Sequence, residues 1–451
     1  MKFTMKPSPN YRNELSTGRI MLELTLGLLI VFAFNVVYYA VNADFGHAIR
    51  AIFLLVIAVV SACATEILFS LVTKKDVLVS LRHSYPWVTG IILTMMCQVN
   101  VDYYALIVST VLAIFFAKLV FGGFGQNIFN PAAVGRAIIF AAYSGSIVAD
   151  VVTGATPTAM ISSNGWLVAN ESSAILLDQF GGLFNMFIGL HAGAIGETSV
   201  LMILLVGAYL AWRKVIDWRV PVTYLCTLFV LSFAIGAIHG VGLWYPVYHI
   251  LTGGAVFGAV FMMTDPVTNP TSAIGRILFA IGCALLTLII RINSALPEGV
   301  LYSILIMNVL TPLIEKLMDG NQIKMRKKSA ISLCVMCIVS LGVAVFCTQG
   351  LKAQQITGPS FSAEGNLYTV SAKGFVGDNE FKIEVENGKI KSIECITFVD
   401  TQGIGDVAVA EDYLSTFIGK DINSEFDTIS GATYTSDSVI AAVKIVLEAA
   451  E

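Results

Sequence analysis

The sequence predicts a polytopic α-helical membrane protein of about ten transmembrane helices, followed by an eleventh helix and a small α+β domain outside the membrane. Three observations predict it. The chain of 451 residues is 56% hydrophobic and 13% charged, with a mean hydropathy of +0.78, too apolar for a single soluble domain. Apolar runs long enough to cross about 30 Å of hydrocarbon recur up to the middle of the fourth hundred residues. Beyond residue 351 the pattern changes to the alternation of half-buried strands.

The first 19 residues are polar and basic. The run from Ile20 to Val41 is too long for a signal-peptide core and no small-residue cleavage site follows it, so it is expected to remain as a span. Further spans are expected at about 48–72, 84–98, 102–121, 131–149, 198–213, 221–238, 244–264, 274–292, 298–318 and 329–348. Basic residues fall in alternate connections, as the positive-inside rule requires. Lys2, Lys6, Arg12 and Arg19 lie on one side with Lys74, Lys75, Arg82, Lys118, Arg136, Arg213, Lys214, Arg219, Arg276, Lys316, Lys324, Arg326, Lys327 and Lys328. Up to residue 350 only Arg50 and Arg291 fall on the other, and the connection 149–197 has neither Lys nor Arg. This places the N-terminus in the cytoplasm and the tail outside it. A net charge of −4 gives no reason to expect a nucleic-acid partner.

In the tail, Leu367–Ser371 and Phe381–Glu386 read as strands, Asn387-Gly388 as a hairpin turn, and Lys389–Phe398 as the returning strand. Val407–Ile418 has helical spacing. So does the end, where Val439, Ile440, Val443, Val446 and Leu447 share a face.

One short pattern occurs twice. Asp150-Val-Val-Thr153-Gly154-Ala155-Thr156 and Asp427-Thr-Ile-Ser430-Gly431-Ala432-Thr433 share Asp, then Ser or Thr, Gly, Ala and Thr at the same spacing. Their surroundings differ, one a connection between spans and the other the polar tail, yet the charge pattern puts both in one compartment. Thr433 precedes the last helix and Thr156 precedes Pro157, which favours a first helical turn. Helix N-termini suit phosphate, and Gly and Ala leave the hydroxyl approachable. The simpler reading of either copy is an N-cap or Ser/Thr turn. Recurrence favours a shared modification.

Here the residues carry a resemblance. D-x-x-S/T-G-A-T is similar to the target of flavin transferase, which attaches FMN through its phosphate to the final threonine. The membrane region resembles the D subunit of the Rnf electron-transport complex and, more distantly, the B subunit of the Na+-translocating NADH:quinone reductase. The similarity rests on Ser8-Pro9, Ile20-Met21-Leu22, Ala117-Lys118 through Gly122-Gly123, Asn127 through Asn130-Pro131-Ala132, Gly196-Glu197-Thr198-Ser199, Thr264-Asp265-Pro266-Val267-Thr268, Pro297-Glu298-Gly299 and Met307-Asn308 through Thr311-Pro312. The tail resembles the Rnf G subunit in Gly388-Lys389-Ile390, Thr401-Gln402-Gly403-Ile404-Gly405 and Ser430 through Thr433-Tyr434-Thr435-Ser436. It departs in being short and in having Gln402 where proline is common. The D and G subunits are ordinarily separate proteins, so the chain resembles a fusion.

The resemblance implies an RnfD-like membrane domain at 1–320, a transmembrane stalk at 321–350 and an RnfG-like FMN-binding domain at 351–451. It implies a flavin-carrying subunit of a redox-driven ion translocase that moves electrons between ferredoxin and NAD+ and exports Na+ or H+. It also implies FMN on Thr156 and Thr433 through a phosphoester, recognised with Asp150, Thr153, Gly154, Ala155, Asp427, Ser430, Gly431 and Ala432. A riboflavin held without a covalent bond is implied too. The implied partners are the A, B, C and E subunits of an Rnf-type complex, a separate G, and a flavin transferase for maturation. The implied place is the inner membrane.

Ionisable residues within or at the ends of spans are Glu23, Glu66, Lys118, Arg136, Asp265 and Glu315. Charge in lipid is costly enough to need a reason, and Glu66, Glu23 and Asp265 are the candidates for an ion path. Glu66 and Glu23 lie near span ends, where a side chain also reaches water. Asn127, Asn130-Pro131 and Asn269-Pro270 read equally as interrupted helices lining a site or as ordinary turns. Segment 173–193 is apolar but broken by Asp178, Gly181-Gly182 and Asn185, and reads as an interfacial or re-entrant element. Cys334 and Cys337 read as packing residues of the eleventh span, and the other cysteines form no metal or cluster pattern. Gly122-Gly123-Phe-Gly125 precedes no Rossmann unit and supports no dinucleotide site; no catalytic residue and no metal site is expected. Two alternatives stand beside the Rnf reading: a B-type quinone-reductase subunit, and a channel of the urea or ammonium type, which would have no use for the paired motif.

Overall fold

In the computed structural model the described residues are 16–42, 45–143, 156–163, 165–178, 180–191, 193–294, 299–318, 322–354, 361–364, 366–374, 378–386, 388–400, 405–421, 424, 426–429 and 432–450. They form two compact units, residues 1–162 with 177–352, and residues 163–176 with 353–451.

In the first unit the helices are α1 (Thr17–Asn42), α2 (Phe45–Val72), α3 (Val77–Ser84), α4 (Pro86–Met95), α5 (Tyr103–Ile114) and α6 (Pro131–Ala142). There follow α7 (Pro157–Ser163), α8 (Ser173–Asp178), most of which belongs to the second unit, α9 (Gly182–Ile188), α10 (Val200–Trp212), α11 (Arg219–Ile238), α12 (Trp244–Leu251), α13 (Ala255–Phe257), α14 (Ala273–Asn293), α15 (Gly299–Met318) and α16 (Gln322–Thr348). Among the described residues, α1, α2, α11, α14, α15 and the part of α16 from Lys328 are long and apolar enough to cross a membrane. Each remaining expected span also has its apolar helix, but α4, α6 and α10 run only 10, 12 and 13 residues. At 1.5 Å per residue these are about 15–20 Å long, well short of the hydrocarbon.

The span expected at 244–264 is broken rather than continuous. Its halves, Trp244–Leu251 and Ala255–Met262, meet at 62°. The cause is local: Gly253 and Gly254 both take the left-handed conformation, φ +63 and +65, which residues bearing a side chain do not adopt readily. Two π turns, Phe115–Leu119 after α5 and Gly258–Met262 after α13, add a further irregularity to each span.

The asparagines read as turn or site residues settle this irregular backbone. Asn130 caps α6, accepting from the amides of Ala132 and Ala133, while its Nδ2 donates to the Met262 carbonyl at 3.4 Å. Asn269 Nδ2 donates to the neighbouring Met263 carbonyl at 2.9 Å. The two arginines that break the charge pattern do similar work. Arg50 donates to the carbonyls of Val99, Asn100 and Val101 in the connection after α4. Arg291, fully buried, donates to those of His249, Thr252 and Gly253 at the break. Both charges hold backbone that has left the helical ladder, which removes them from the loop-charge count.

α16 keeps only 11% of its span inside the unit, and Cys334 and Cys337 lie exposed on its surface. Their expected role as packing residues is therefore not met within this chain; their thiols face whatever surrounds the helix.

In the second unit, β1 (Phe361–Glu364), β2 (Leu367–Lys373), β3 (Asp378–Glu386) and β4 (Lys389–Thr397) form an antiparallel sheet in sequence order. The first of these strands has no counterpart among the expected elements. Gly388 takes φ +72 at the turn between β3 and β4, as the Asn-Gly pattern requires; Asn387 lies outside the described residues. β3 alternates buried and less buried positions along its length. Phe381, Ile383 and Val385 meet Val439, Val443, Val446 and Leu447 of the last helix, α18 (Thr433–Ala450), in one core.

The expected helix over Val407–Ile418 is replaced by short pieces: a 3-10 turn at Asp406–Ala408, the one-turn α17 (Glu411–Leu414) and a 3-10 turn at Ser415–Phe417. Its apolar spacing serves instead to bury Ala408, Leu414 and Phe417 one turn at a time. The segment 163–176 also belongs here. Gln354 exchanges backbone hydrogen bonds with Leu167 and Ala169 at 2.7 and 2.8 Å, and Trp166 beside them is 1% exposed.

Candidate functional site

Thr156 stands at the start of α7. Its Oγ1 accepts from the amide of Ala159 at 3.3 Å and lies 3.2 Å from Thr158 Oγ1. Thr156 is half-buried and acts as an N-cap of α7. α7 is built onto the break in the long span. Tyr248 of α12 donates its hydroxyl to the Pro157 carbonyl at 2.7 Å. A Cβ placed on Gly253 would come within 2.5 Å of the Thr158 methyl and 2.9 Å of Arg291 Nη2. One placed on Gly254 would meet a Glu197 carboxylate oxygen at 2.5 Å. Glycine is thus required twice over, by conformation and by crowding.

Glu197 belongs to Gly196-Glu197-Thr198-Ser199, three of whose members each hold a different piece. Gly196 donates to the Met95 carbonyl at the end of α4, Thr198 donates to Asn35 of α1, and Ser199 caps α10 while donating to the Ile188 carbonyl at 2.6 Å. Asp150, Thr153, Gly154 and Ala155 lie outside the described residues.

The second copy is built on a sheet. Thr433 opens α18, and the loop before it is laced to the first turn. Ile429 donates its amide to Ser436 Oγ at 3.1 Å, and Ser436 Oγ donates to the Ala432 carbonyl at 3.0 Å. Tyr413 donates to the Asp427 carbonyl at 2.6 Å. Burial pushes the Tyr413 phenol above its ordinary value, so it stays a protonated donor. Asp427 is exposed and Ala432 is buried. Ser430 and Gly431 lie outside the described residues, as does the Thr433 side chain. Beneath this turn, buried Asp400 accepts from Thr435 Oγ1 at 2.7 Å and from Asn379 Nδ2 at 3.0 Å.

The candidate ion-path residues separate. Glu23 is engaged by two arginines: Arg213 at 2.8 Å, which ties α1 to the end of α10, and Arg19 at 3.1 Å, one turn away on α1 itself. Glu66 does not reach water. It is 3% exposed, accepts from Ser80 Oγ at 3.1 Å and lies 3.9 Å from the equally buried Lys118 Nζ. Lys118 donates to the Ser84 carbonyl at 2.6 Å. Asp265 accepts from the Val267 amide and the Thr268 hydroxyl.

Lys118 and Asp265 both line a pocket that is partly open to the outside, walled also by Tyr85, Phe124, Asn127 and Asn130. Lys118 stands among the ionisable span residues but not among the three ion-path candidates picked from sequence. Its place in a π turn, where it meets Glu66 from another helix, has no local signature. Among the described residues no group of three His, Cys, Asp or Glu side chains converges as a metal site.

The sequence profile described as the NQR2, RnfD, RnfE family matches residues 4–324, and that of the FMN-binding domain matches residues 374–448. The D subunit of the proton-translocating ferredoxin:NAD(+) oxidoreductase complex of Clostridium ljungdahlii is 36% identical over 327 residues, which cover 70% of this chain and 94% of the relative. The D subunit of the Na(+)-translocating ferredoxin:NAD(+) oxidoreductase complex of Acetobacterium woodii is 36% identical over 323 residues, 70% of this chain and 93% of the relative. The D subunit of an ion-translocating oxidoreductase complex of Stutzerimonas stutzeri is 31% identical over 334 residues, 67% and 90% of the two chains.

Proposed function

Because the chain belongs to the NQR2, RnfD, RnfE family and carries an FMN-binding domain, we propose that it is the flavin-carrying membrane subunit of an ion-translocating ferredoxin:NAD+ oxidoreductase. It is a multi-pass membrane protein and a subunit of a redox enzyme complex. In this reading Thr156 and Thr433 carry FMN through phosphoesters on the side away from the cytoplasm, and the other Rnf-type subunits supply the electron donor and acceptor sites.

The observation that carries the reading is the recurrence of one acceptor pattern at the start of a helix in two unrelated settings. The residues fit the group. Thr156 presents a hydroxyl whose oxygen is fixed by a backbone amide, and Ser436 and Tyr413 hold the loop that leads to Thr433. FMN supplies one- and two-electron transfer when bound; the chain supplies its position. We assign the non-covalent riboflavin of this reading to the pocket beside Lys118 and Asp265, whose wall offers aromatic and amide side chains.

In this reading ion coupling falls to Lys118 and Asp265 in the wall of that pocket and to Glu66, which approaches Lys118. The buried Glu66 and Lys118 approach each other without closing a short ion pair, an arrangement a passing cation can alter. Glu66→Gln is expected to lower the uptake of the coupling ion, Na+ or H+, by vesicles holding the assembled complex, with covalent flavin retained. Unchanged uptake would remove Glu66 from the path.

The covalent assignment is tested by coexpression with a flavin transferase and in-gel fluorescence after denaturation. Thr156→Ala and Thr433→Ala should each leave one fluorescent site, and the double variant none, while riboflavin appears in the supernatant of every preparation. A double variant that still fluoresces would overturn the assignment.

A further inference from the structure

We propose that Thr158 is a positioning residue for flavin attachment, holding the Thr156 hydroxyl in its reactive orientation. The inference rests on the reading of Thr156 as the attachment site and concerns how that site is made.

The two groups that hold the Thr156 oxygen differ in what they can do. The Ala159 amide, 3.3 Å away, can only donate. Thr158 Oγ1, 3.2 Å away, can accept. Either hydroxyl can be the donor of this contact; in the reactive orientation proposed here Thr156 donates and Thr158 accepts, which leaves one lone pair of the Thr156 oxygen for a reactant.

Thr158 is fixed for this task from several sides. It is 7% exposed, and its methyl packs on Gly253, where an added Cβ would come within 2.5 Å of it. The carbonyl of the intervening Pro157 is held by Tyr248. Rotating Thr158 would trade its methyl for its hydroxyl against this wall, and a β-branched side chain has few other rotamers.

The other copy has the same residue at the same offset. Thr435 follows Thr433 as Thr158 follows Thr156. It too is buried, 3% exposed, and its hydroxyl is fixed by an acceptor, Asp400 at 2.7 Å. A threonine two residues on, buried in the first turn with its hydroxyl committed, thus recurs on two scaffolds that otherwise share only the motif.

Attachment forms a bond from Thr156 Oγ1 to the flavin-side phosphorus of a flavin dinucleotide and breaks the pyrophosphate P–O bond. The nucleoside monophosphate leaves with the bonding pair, and the threonine proton passes to a base of the transferase or to water. Nothing is oxidised or reduced. Before reaction Thr158 accepts from the hydroxyl; after it, Thr158 can turn its own proton to the ester oxygen, which no longer donates.

The test uses the full chain in detergent, purified without flavin, with a flavin transferase and a flavin dinucleotide, reading the initial rate of covalent fluorescence. Thr158→Val, which keeps the shape and removes the hydroxyl, is placed in a Thr433→Ala background to report on Thr156. The same substitution in a Thr156→Ala background reports on Thr433. Labelling at Thr156 is expected to slow about fivefold or more, with the Thr433 rate unchanged, and Thr158→Ser is expected to restore most of the rate. An undiminished rate in Thr158→Val overturns the proposal. So does a serine variant as slow as the valine one, because the methyl packing would then be what matters. If Thr156→Ala with Thr433→Ala still takes label, it is the attachment reading that fails, whatever Thr158 does.

Discussion

The two segments around Thr156 and Thr433 share a motif and almost no structure. Thr156 begins a seven-residue helix whose neighbours are a broken span, a buried arginine and paired glycines. Thr433 begins an 18-residue helix that lies on a four-stranded sheet with a conventional apolar core. The first setting is held by polar groups that satisfy irregular backbone, the second by apolar burial. What they have in common is local: a threonine that opens a helix, a small residue before it and a buried threonine two places on. A recognition event that reads only a few residues requires only that much to be equal, and the rest is free to differ.

Substitutions that remove one kind of support and not the other sharpen this contrast. The largest effect is expected from Phe381→Ala, in the sheet core and fully buried, which should cost about 3–5 kcal/mol. Covalent flavin at Thr433 should be lost while that at Thr156 remains. Loss of both signals would mean that the two segments do not fold independently. A smaller effect is expected from Arg291→Met, which leaves the carbonyls of His249, Thr252 and Gly253 without their charged donor. The cost is on the order of 3 kcal/mol, and the pattern should invert, with Thr156 labelling falling and Thr433 labelling intact. Retained labelling at Thr156 would show that the broken span is not what presents it.

Most of the architecture is legible from hydropathy, because a span must be apolar whatever it packs against. An apolar helix occurs at each expected position, and the hairpin at Gly388 follows from turn chemistry. The break at Gly253-Gly254 is hidden because two glycines in an apolar run do not interrupt the hydropathy pattern, and the Arg291 that satisfies the carbonyls at the break comes from α14, distant in sequence. The helix expected over Val407–Ile418 fails for the opposite reason: apolar residues at helical spacing can be buried turn by turn.

At the candidate site, recurrence picks out Thr156 and Thr433. It does not pick out Thr158, Thr435 and Asp400, since their roles rest on burial and on partners distant in sequence. Arg50 and Arg291 are visible as exceptions to the charge rule, but the carbonyls that explain them are not. Glu66 reads as a residue able to reach water, whereas Lys118 and Ser80 show it turned inward.

What the two threonines bear in the cell decides the assignment. Peptide mass spectrometry on the chain isolated from its own host should find the segment containing Thr156 and the segment containing Thr433 each heavier by one FMN phosphoester, localised to the threonine oxygen. Unmodified threonine in either segment, in a preparation that supports ferredoxin-dependent NAD+ reduction, would contradict it.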